Sequence, residues 1–187
     1  MKVVLRHCFI LVAITFFACG GNNSSTKNHN EPIVEKTEEI NVEPEAPIEI
    51  RSVDFNQLAP IFSQQNDTTY VINFWATWCV PCVKELPHFE ALNAEYSKQP
   101  VKVILVSLDM PDEIDTRLKP FMQAKAIKSE VILLNDPDMN IWIPKVNEDW
   151  SGAIPATYIY KKNLNTFIEG SVTHAELLSS FLPIFNS

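Results

Sequence analysis

Two thiols with two residues between them, in Trp78-Cys79-Val80-Pro81-Cys82, stand directly behind the apolar run Tyr70-Val71-Ile72-Asn73-Phe74-Trp75. A buried strand followed by a cysteine pair and then a helical pattern puts both sulfurs at a helix N-terminus. The first N–H groups of a helix lack backbone partners, and its dipole places about half a positive charge there, so a cysteine is favoured as thiolate. Thiolate is the nucleophilic form. Cys82 follows Cys79 by close to one helical turn, within reach of a mixed disulfide formed on the first sulfur. The spacing predicts a dithiol redox centre in which Cys79 attacks and Cys82 resolves.

The chain has four cysteines. Cys8 lies inside an N-terminal apolar run and Cys19 ends it, so no structural disulfide framework is expected. Closing a loop as short as Cys79 to Cys82 removes only about 2 kcal/mol of unfolded-chain entropy, against ~3 for a fifteen-residue loop. Chemistry explains the pair better than stapling. C-x-x-C is also a zinc-ligand spacing, but a zinc site needs two more ligands, and no second C-x-x-C or H-x-x-x-H occurs.

The N-terminus carries an address. Lys2 and Arg6 precede Cys8-Phe9-Ile10-Leu11-Val12-Ala13-Ile14-Thr15-Phe16-Phe17-Ala18, a run of signal-peptide length and shorter than the ~20 residues of a spanning helix. Phe16-Phe17-Ala18-Cys19-Gly20 resembles a bacterial lipobox, with Phe16 where that pattern has Leu. The resemblance implies a signal peptide over residues 1–18 and lipidation of Cys19; the alternative is an uncleaved membrane anchor. Either places the rest of the chain outside the cytoplasm, on a membrane. From residue 19 to 51 the composition turns to Asn, Ser, Thr, Glu and Pro, with seven glutamates against Lys27, Lys36 and Arg51. Such a segment has too little apolar surface to offset its ordering entropy and is expected to be a flexible stalk, with a typical span of ~30 Å. The stalk supplies about half of the net charge of −8. No basic cluster speaks for nucleic acid.

Residues 52–187 have single-domain size and alternate strand and helix patterns, which predicts an α/β fold with helices on both faces of a central sheet. Asp54 caps a first helix presenting Phe55, Leu58, Ile61 and Phe62. Strands are expected at Tyr70–Phe74, Val101–Leu108 and Val131–Leu134. Helices are expected after Cys79 to about Tyr96, over Asp112–Ala126 with an interruption at Pro120, and weakly over Asp138–Asn147. Thr157–Lys161 and Thr166–Glu169 form a hairpin across a four-residue loop. Thr173-His174-Ala175-Glu176 has capping-box spacing and opens a last helix, with Leu177, Leu178 and Phe181 inward.

Phe74-Trp75-Ala76-Thr77-Trp78-Cys79-Val80-Pro81-Cys82, then Glu85-Leu86-Pro87, and much later Gly152-Ala153-Ile154-Pro155-Ala156-Thr157, resemble the thioredoxin superfamily, and within it the TlpA/ResA branch of membrane-tethered extracytoplasmic oxidoreductases. The resemblance covers the head and not the stalk. It implies a thioredoxin-like fold with a mixed sheet and the cysteine pair at the start of a helix kinked at Pro87. It makes Pro155 a cis-proline facing the cysteines, the alternative being a trans turn residue, and Ile154 the residue whose backbone pairs with bound substrate. Trp78 and Pro81 complete the substrate contacts. Glu85 matches an acidic residue that tunes the thiols; a solvated Glu favoured by the helix dipole is the plainer alternative. Asn73 stands where thioredoxin itself has a buried Asp, which leaves Glu85 as the candidate proton acceptor for Cys82.

Trp75 and Trp78 flank the site in that family and either wall it or pack as core. Trp150 either rims the groove or covers surface. His88 and His174 permit a copper-carrier alternative, although Sco-like copper proteins resemble a C-x-x-x-C pattern, and His88 has the setting of an exposed helix residue. A thiol peroxidase wants P-x-x-x-T-x-x-C, which Thr77, two residues before Cys79, does not meet. Val-Pro between the cysteines resembles reductants more than the oxidant DsbA. The expectation is therefore a reductase of extracytoplasmic disulfide proteins, with apocytochrome c as a family-typical substrate. An inner-membrane thiol donor would re-reduce it, on the periplasmic side, and no cofactor or metal beyond the redox-active pair is expected.

Overall fold

The computed structural model describes residues 49–187. The segment expected to be a signal peptide, Cys8, Cys19 with its expected lipidation, and almost all of the expected stalk lie outside those residues. The elements run β1 (Arg51–Val53), α1 (Phe55–Leu58) with a 3-10 turn over Ala59–Phe62, β2 (Thr69–Trp75), α2 (Val80–Glu95) and β3 (Val101–Ser107). A helical stretch then ends in α3 (Lys119–Ala124), followed by β4 (Glu130–Leu134), α4 (Met139–Val146), β5 (Ala156–Lys161), β6 (Leu164–Glu169) and α5 (His174–Phe185).

The six strands form one sheet in the order β1-β4-β3-β2-β5-β6. The first four are parallel, and β5 and β6 pair antiparallel. Because side chains alternate across a strand, β2 feeds two apolar layers. Val71 and Trp75 join Leu86, Phe89, Met122, Leu177 and Phe181 from α2, α3 and α5 on one face. Ile72 and Phe74 join Phe55, Leu58, Trp142 and Val146 from α1 and α4 on the other. All seven residues of β2 are buried, as a central strand covered by helices on both sides requires. The period also dictates that Asn73 points into the α2 face, beside Val71 and Trp75.

Four details depart from the sequence-based expectation. Arg51, assigned above to the stalk, is in the sheet: β1 pairs with β4 in register Arg51 to Ile132, and the Arg51 guanidinium meets Glu130 at 2.8 Å. Three residues with two side chains exposed give no usable period, and their pairing partner lies some eighty positions away. The first helix keeps its Asp54 cap, closed reciprocally by Gln57, but tightens to a 3-10 turn around Pro60. Pro120 does not interrupt a helix. It falls where the helical backbone passes from a wide turn into the regular first turn of α3, so the chain stays helical through it and changes type instead. The π-turn Ile114–Leu118 precedes it, closed by Lys119 N–H donating to the Ile114 carbonyl. The hairpin loop is two residues, because β6 starts at Leu164 and Lys162 takes φ 53 at the turn.

Candidate functional site

Cys79 is the N-cap of α2, with extended backbone (φ −86, ψ 99), and its Sγ accepts from the Cys82 N–H at 3.3 Å. A sulfur here occupies the place of the usual capping oxygen. Pro81 sits in the first turn. The two sulfurs are joined in a disulfide across Cα atoms 5.3 Å apart. Cys79 keeps a small exposed area and Cys82 none, so an incoming reagent meets Cys79 first.

Opposite the pair, the chain from Ser151 to Pro155 forms a loop. Gly152 takes φ +90, a backbone region that side chains rarely adopt, and a Cβ there would crowd Ile143 Cδ1 at 3.0 Å, so the positive φ is what calls for glycine. The Ile154–Pro155 bond is cis, as the resemblance implied. The Ile154 carbonyl oxygen lies 3.8 Å from Cys79 Sγ, so this loop and the cysteine pair share one face. Trp78 is 56 % exposed beside them.

Glu85, one turn beyond Cys82, is buried. Its Oε1 accepts from Asn73 Nδ2 at 2.9 Å and its Oε2 from the Val172 N–H at 2.8 Å. Asn73 Nδ2 also reaches Thr157 Oγ1 at 3.1 Å. Burial raises the Glu85 carboxyl to about 7, against the lowering pull of the Val172 and Asn73 donors. The carboxylate lines a pocket of about 230 Å³ with Pro81, Lys84, His88 and Ser171, which gives it a way to exchange protons with water. Glu85 therefore titrates in the range where a general base is useful.

Several expected neighbours are elsewhere. Trp75 does not wall the site: it is fully buried in the α2-side layer against Phe121, ring centroids 5.5 Å apart. Trp150 neither rims a groove nor covers surface. It is buried against Phe74 at 4.6 Å and donates its indole N–H to the Ala153 carbonyl at 2.8 Å, so it braces the loop from behind. His88 is part-buried and faces His174, ring centroids 6.1 Å apart. Among the described residues no group of three or more metal-ligating side chains gathers around them.

Asp109 went unnoticed in the sequence. It is buried at the end of β3 and accepts from the Thr77 hydroxyl at 2.5 Å, the Thr77 N–H at 3.1 Å and the Ser107 hydroxyl at 2.8 Å. It thereby pins the turn that delivers Trp78 and Cys79. The available signal was its place just past the carboxyl end of a parallel strand, where α/β sheets build their sites.

A sequence profile described as the AhpC/TSA family matches residues 49–165, more than half of the chain. The chain belongs to the AhpC/TSA family. Among relatives, it is similar to the thiol-disulfide oxidoreductase ResA of Oceanobacillus iheyensis, 28 % identical over 111 residues that cover 55 % of this chain and 50 % of that protein. The ResA of Geobacillus thermodenitrificans is 25 % identical over 108 residues, 57 % of each. The chain thus spans about half the length of the curated relatives it matches. In three dimensions this AhpC/TSA member is similar to a thioredoxin-related protein from Neisseria meningitidis serogroup B, with a TM-score of 0.56 and 20 % identity over 66 % of this chain and 90 % of that one. It is also similar to a secreted thiol-disulfide isomerase from Corynebacterium glutamicum, with a TM-score of 0.54 and 18 % identity over 70 % and 75 %. The fold is thioredoxin-like, a mixed sheet with helices on both faces and the cysteine pair at the start of α2.

Proposed function

We propose that the protein is a thiol-disulfide oxidoreductase that reduces disulfides of other proteins through Cys79 and Cys82. The observation that carries this reading is Cys79 as N-cap of α2, its sulfur accepting the Cys82 N–H and bonded to the Cys82 sulfur. In the reduced enzyme the same N–H and the helix dipole stabilise a Cys79 thiolate. That thiolate attacks one sulfur of a substrate disulfide, forming a mixed disulfide and releasing the other sulfur as thiolate. Cys82 gives its proton to Glu85 and attacks Cys79 Sγ, closing the Cys79–Cys82 bond and releasing the second substrate sulfur. Two electrons leave the enzyme, and a membrane thiol donor restores the dithiol.

Trp78, Pro81, Ile154 and Pro155 make the surface on which substrate backbone lies. A location outside the cytoplasm fits the secreted isomerase of similar fold and the leader-like segment ending at Cys19, whose lipidation would anchor the chain. No helix among the described residues is long and apolar enough to cross a membrane. Apocytochrome c, whose haem-attachment thiols must be kept reduced, is a substrate class consistent with the ResA relatives. The Thr77 hydroxyl, committed to Asp109, favours exchange over a peroxidatic role.

Changing Cys82→Ser removes the resolving thiol, so mixed disulfides on Cys79 should persist. Covalent partners recovered from cells on non-reducing gels, and lost with Cys79→Ser in addition, are the expected result. Recovery of no disulfide-linked partner would count against the reading.

A further inference from the structure

On the side of the cysteine pair away from Glu85, the loops that follow β3 and β4 enclose a groove of about 340 Å³, at the small end of the range for ligand sites. It starts at Trp78 and Ile154, beside Cys79, and runs out to Met110, Asp136 and Met139. Seven large apolar side chains stand exposed among the described residues, and three of them, Trp78 at 56 %, Met110 at 60 % and Met139 at 43 %, line this one groove. Apolar exposure gathered at one place marks an interaction surface, and methionine suits one that accepts varied partners.

The charge is one-sided. Of the two carboxylates in the lining, Asp136 is half-buried and Asp109 lies buried under Thr77 and Ser107, Asp112 and Asp138 stand exposed on the same loops, and no lysine, arginine or histidine joins the lining. The two loops, Leu108 to Glu113 and Asn135 to Met139, hold five acidic residues and no basic one. Among the described residues only Glu113 of the five meets a cation, Arg117 at 3.3 Å. The pocket on the opposite flank of the cysteines carries Lys84 and His88 instead.

We propose that this groove holds the polypeptide segment flanking the disulfide of a substrate protein, an extended stretch with an apolar side chain for the methionine-lined floor and a lysine or arginine for the acidic rim. The proposal rests on the exchange chemistry above and adds the substrate's character to it. The groove meets the redox pair at Ile154 and Trp78, so a chain whose sulfur is presented to Cys79 continues directly into it. Opposite charge raises the encounter rate and selects the basic flank, and the apolar contact holds it.

The test uses the reduced full-length chain and three synthetic peptides, each closed by one disulfide and differing only beside one cysteine: Leu with Lys, Leu with Glu, or Ser with Ser. Bis(2-hydroxyethyl) disulfide, small and neutral, serves as the reference oxidant. The Leu/Lys peptide should exceed the other two about tenfold in kcat/KM. Its lead over Leu/Glu should shrink as ionic strength rises from about 0.01 M to about 1 M, where the screening length falls from ~30 to ~3 Å. In Met110→Ser/Met139→Ser, at exposed positions the fold tolerates, the ratio of Leu/Lys peptide to reference kcat/KM should drop by a similar factor. Equal rates for the three peptides, an unchanged ratio in the double variant, or a dimer that buries the groove would overturn the proposal. A chain reacting with neither peptides nor reference would remove the exchange reading itself, whereas reaction with the reference at uniform peptide rates removes the groove alone.

Discussion

Burial works against the charge of Glu85 and lifts the carboxyl to about 7 from the ordinary 4.5, while the Val172 and Asn73 donors pull it down. Between those two pH values the folded chain binds more protons than the unfolded one. The contribution of this group to stability is therefore complete below about 4.5, and it is lost as pH rises through about 7. The shift corresponds to about 3 kcal/mol. Glu85→Gln, which cannot titrate, should gain on the wild type by that order as pH goes from about 4.5 to about 8, read from urea midpoints at each pH. A constant difference would show that Glu85 titrates as an ordinary glutamate. The residue itself was legible only through the resemblance, the helix pattern alone reading as a solvated glutamate. Its environment was not, since Asn73, Thr157 and Val172 come from three separate segments.

Among the elements, α5 does more than cover the sheet. Its N-terminus closes a capping box, with Glu176 N–H donating to Thr173 Oγ1 at 3.3 Å and Thr173 N–H donating to Glu176 Oε2 at 2.8 Å. The residue just before the cap is Val172, whose N–H holds Glu85. Thr173→Ala should cost about 1 kcal/mol of stability through the lost cap. By loosening Val172 it should also move the Glu85 titration further above its ordinary value, followed by carboxyl NMR; an unmoved titration would separate the cap from the site. The capping box was readable because it spans four consecutive residues. The two-residue hairpin turn and the π-turn before Pro120 were misjudged, because strand ends and helix widening depend on cross-strand partners and on the packing of Leu118, both set by the sheet.

At the scale of the whole molecule, one sheet divides two apolar layers, and the site stands at the carboxyl ends of the parallel strands β2 and β3. Polar chemistry lies on the Glu85 side of the cysteines, and apolar, acidic surface lies on the other. The sheet's outer parallel edge is closed by β1, whose first residue, Arg51, the sequence pattern alone assigns to the stalk. A polypeptide beginning at Ser52 loses Ile50, packed against the core, and the Arg51 contacts with β4 and Glu130. It should unfold about 1–2 kcal/mol more easily than residues 49–187, given modest returns from an exposed ion pair and a half-buried isoleucine. Equal urea midpoints would make β1 an ornament of the edge.

By itself the chain's order of residues determined the cysteine pair, the strand that precedes it, the helix it caps and the two capped helices α1 and α5. Each of these is written in neighbours a few positions apart, where backbone period and local hydrogen bonds act. Only the tertiary structure decided that Trp150 turns inward while Trp78 turns out, that Asn73 rather than water meets Glu85, that Asp109 anchors the Thr77 turn, and that β1 pairs with β4. Those contacts join segments tens of residues apart, and their geometry comes from the packing of the sheet against its helices, which no local spacing encodes.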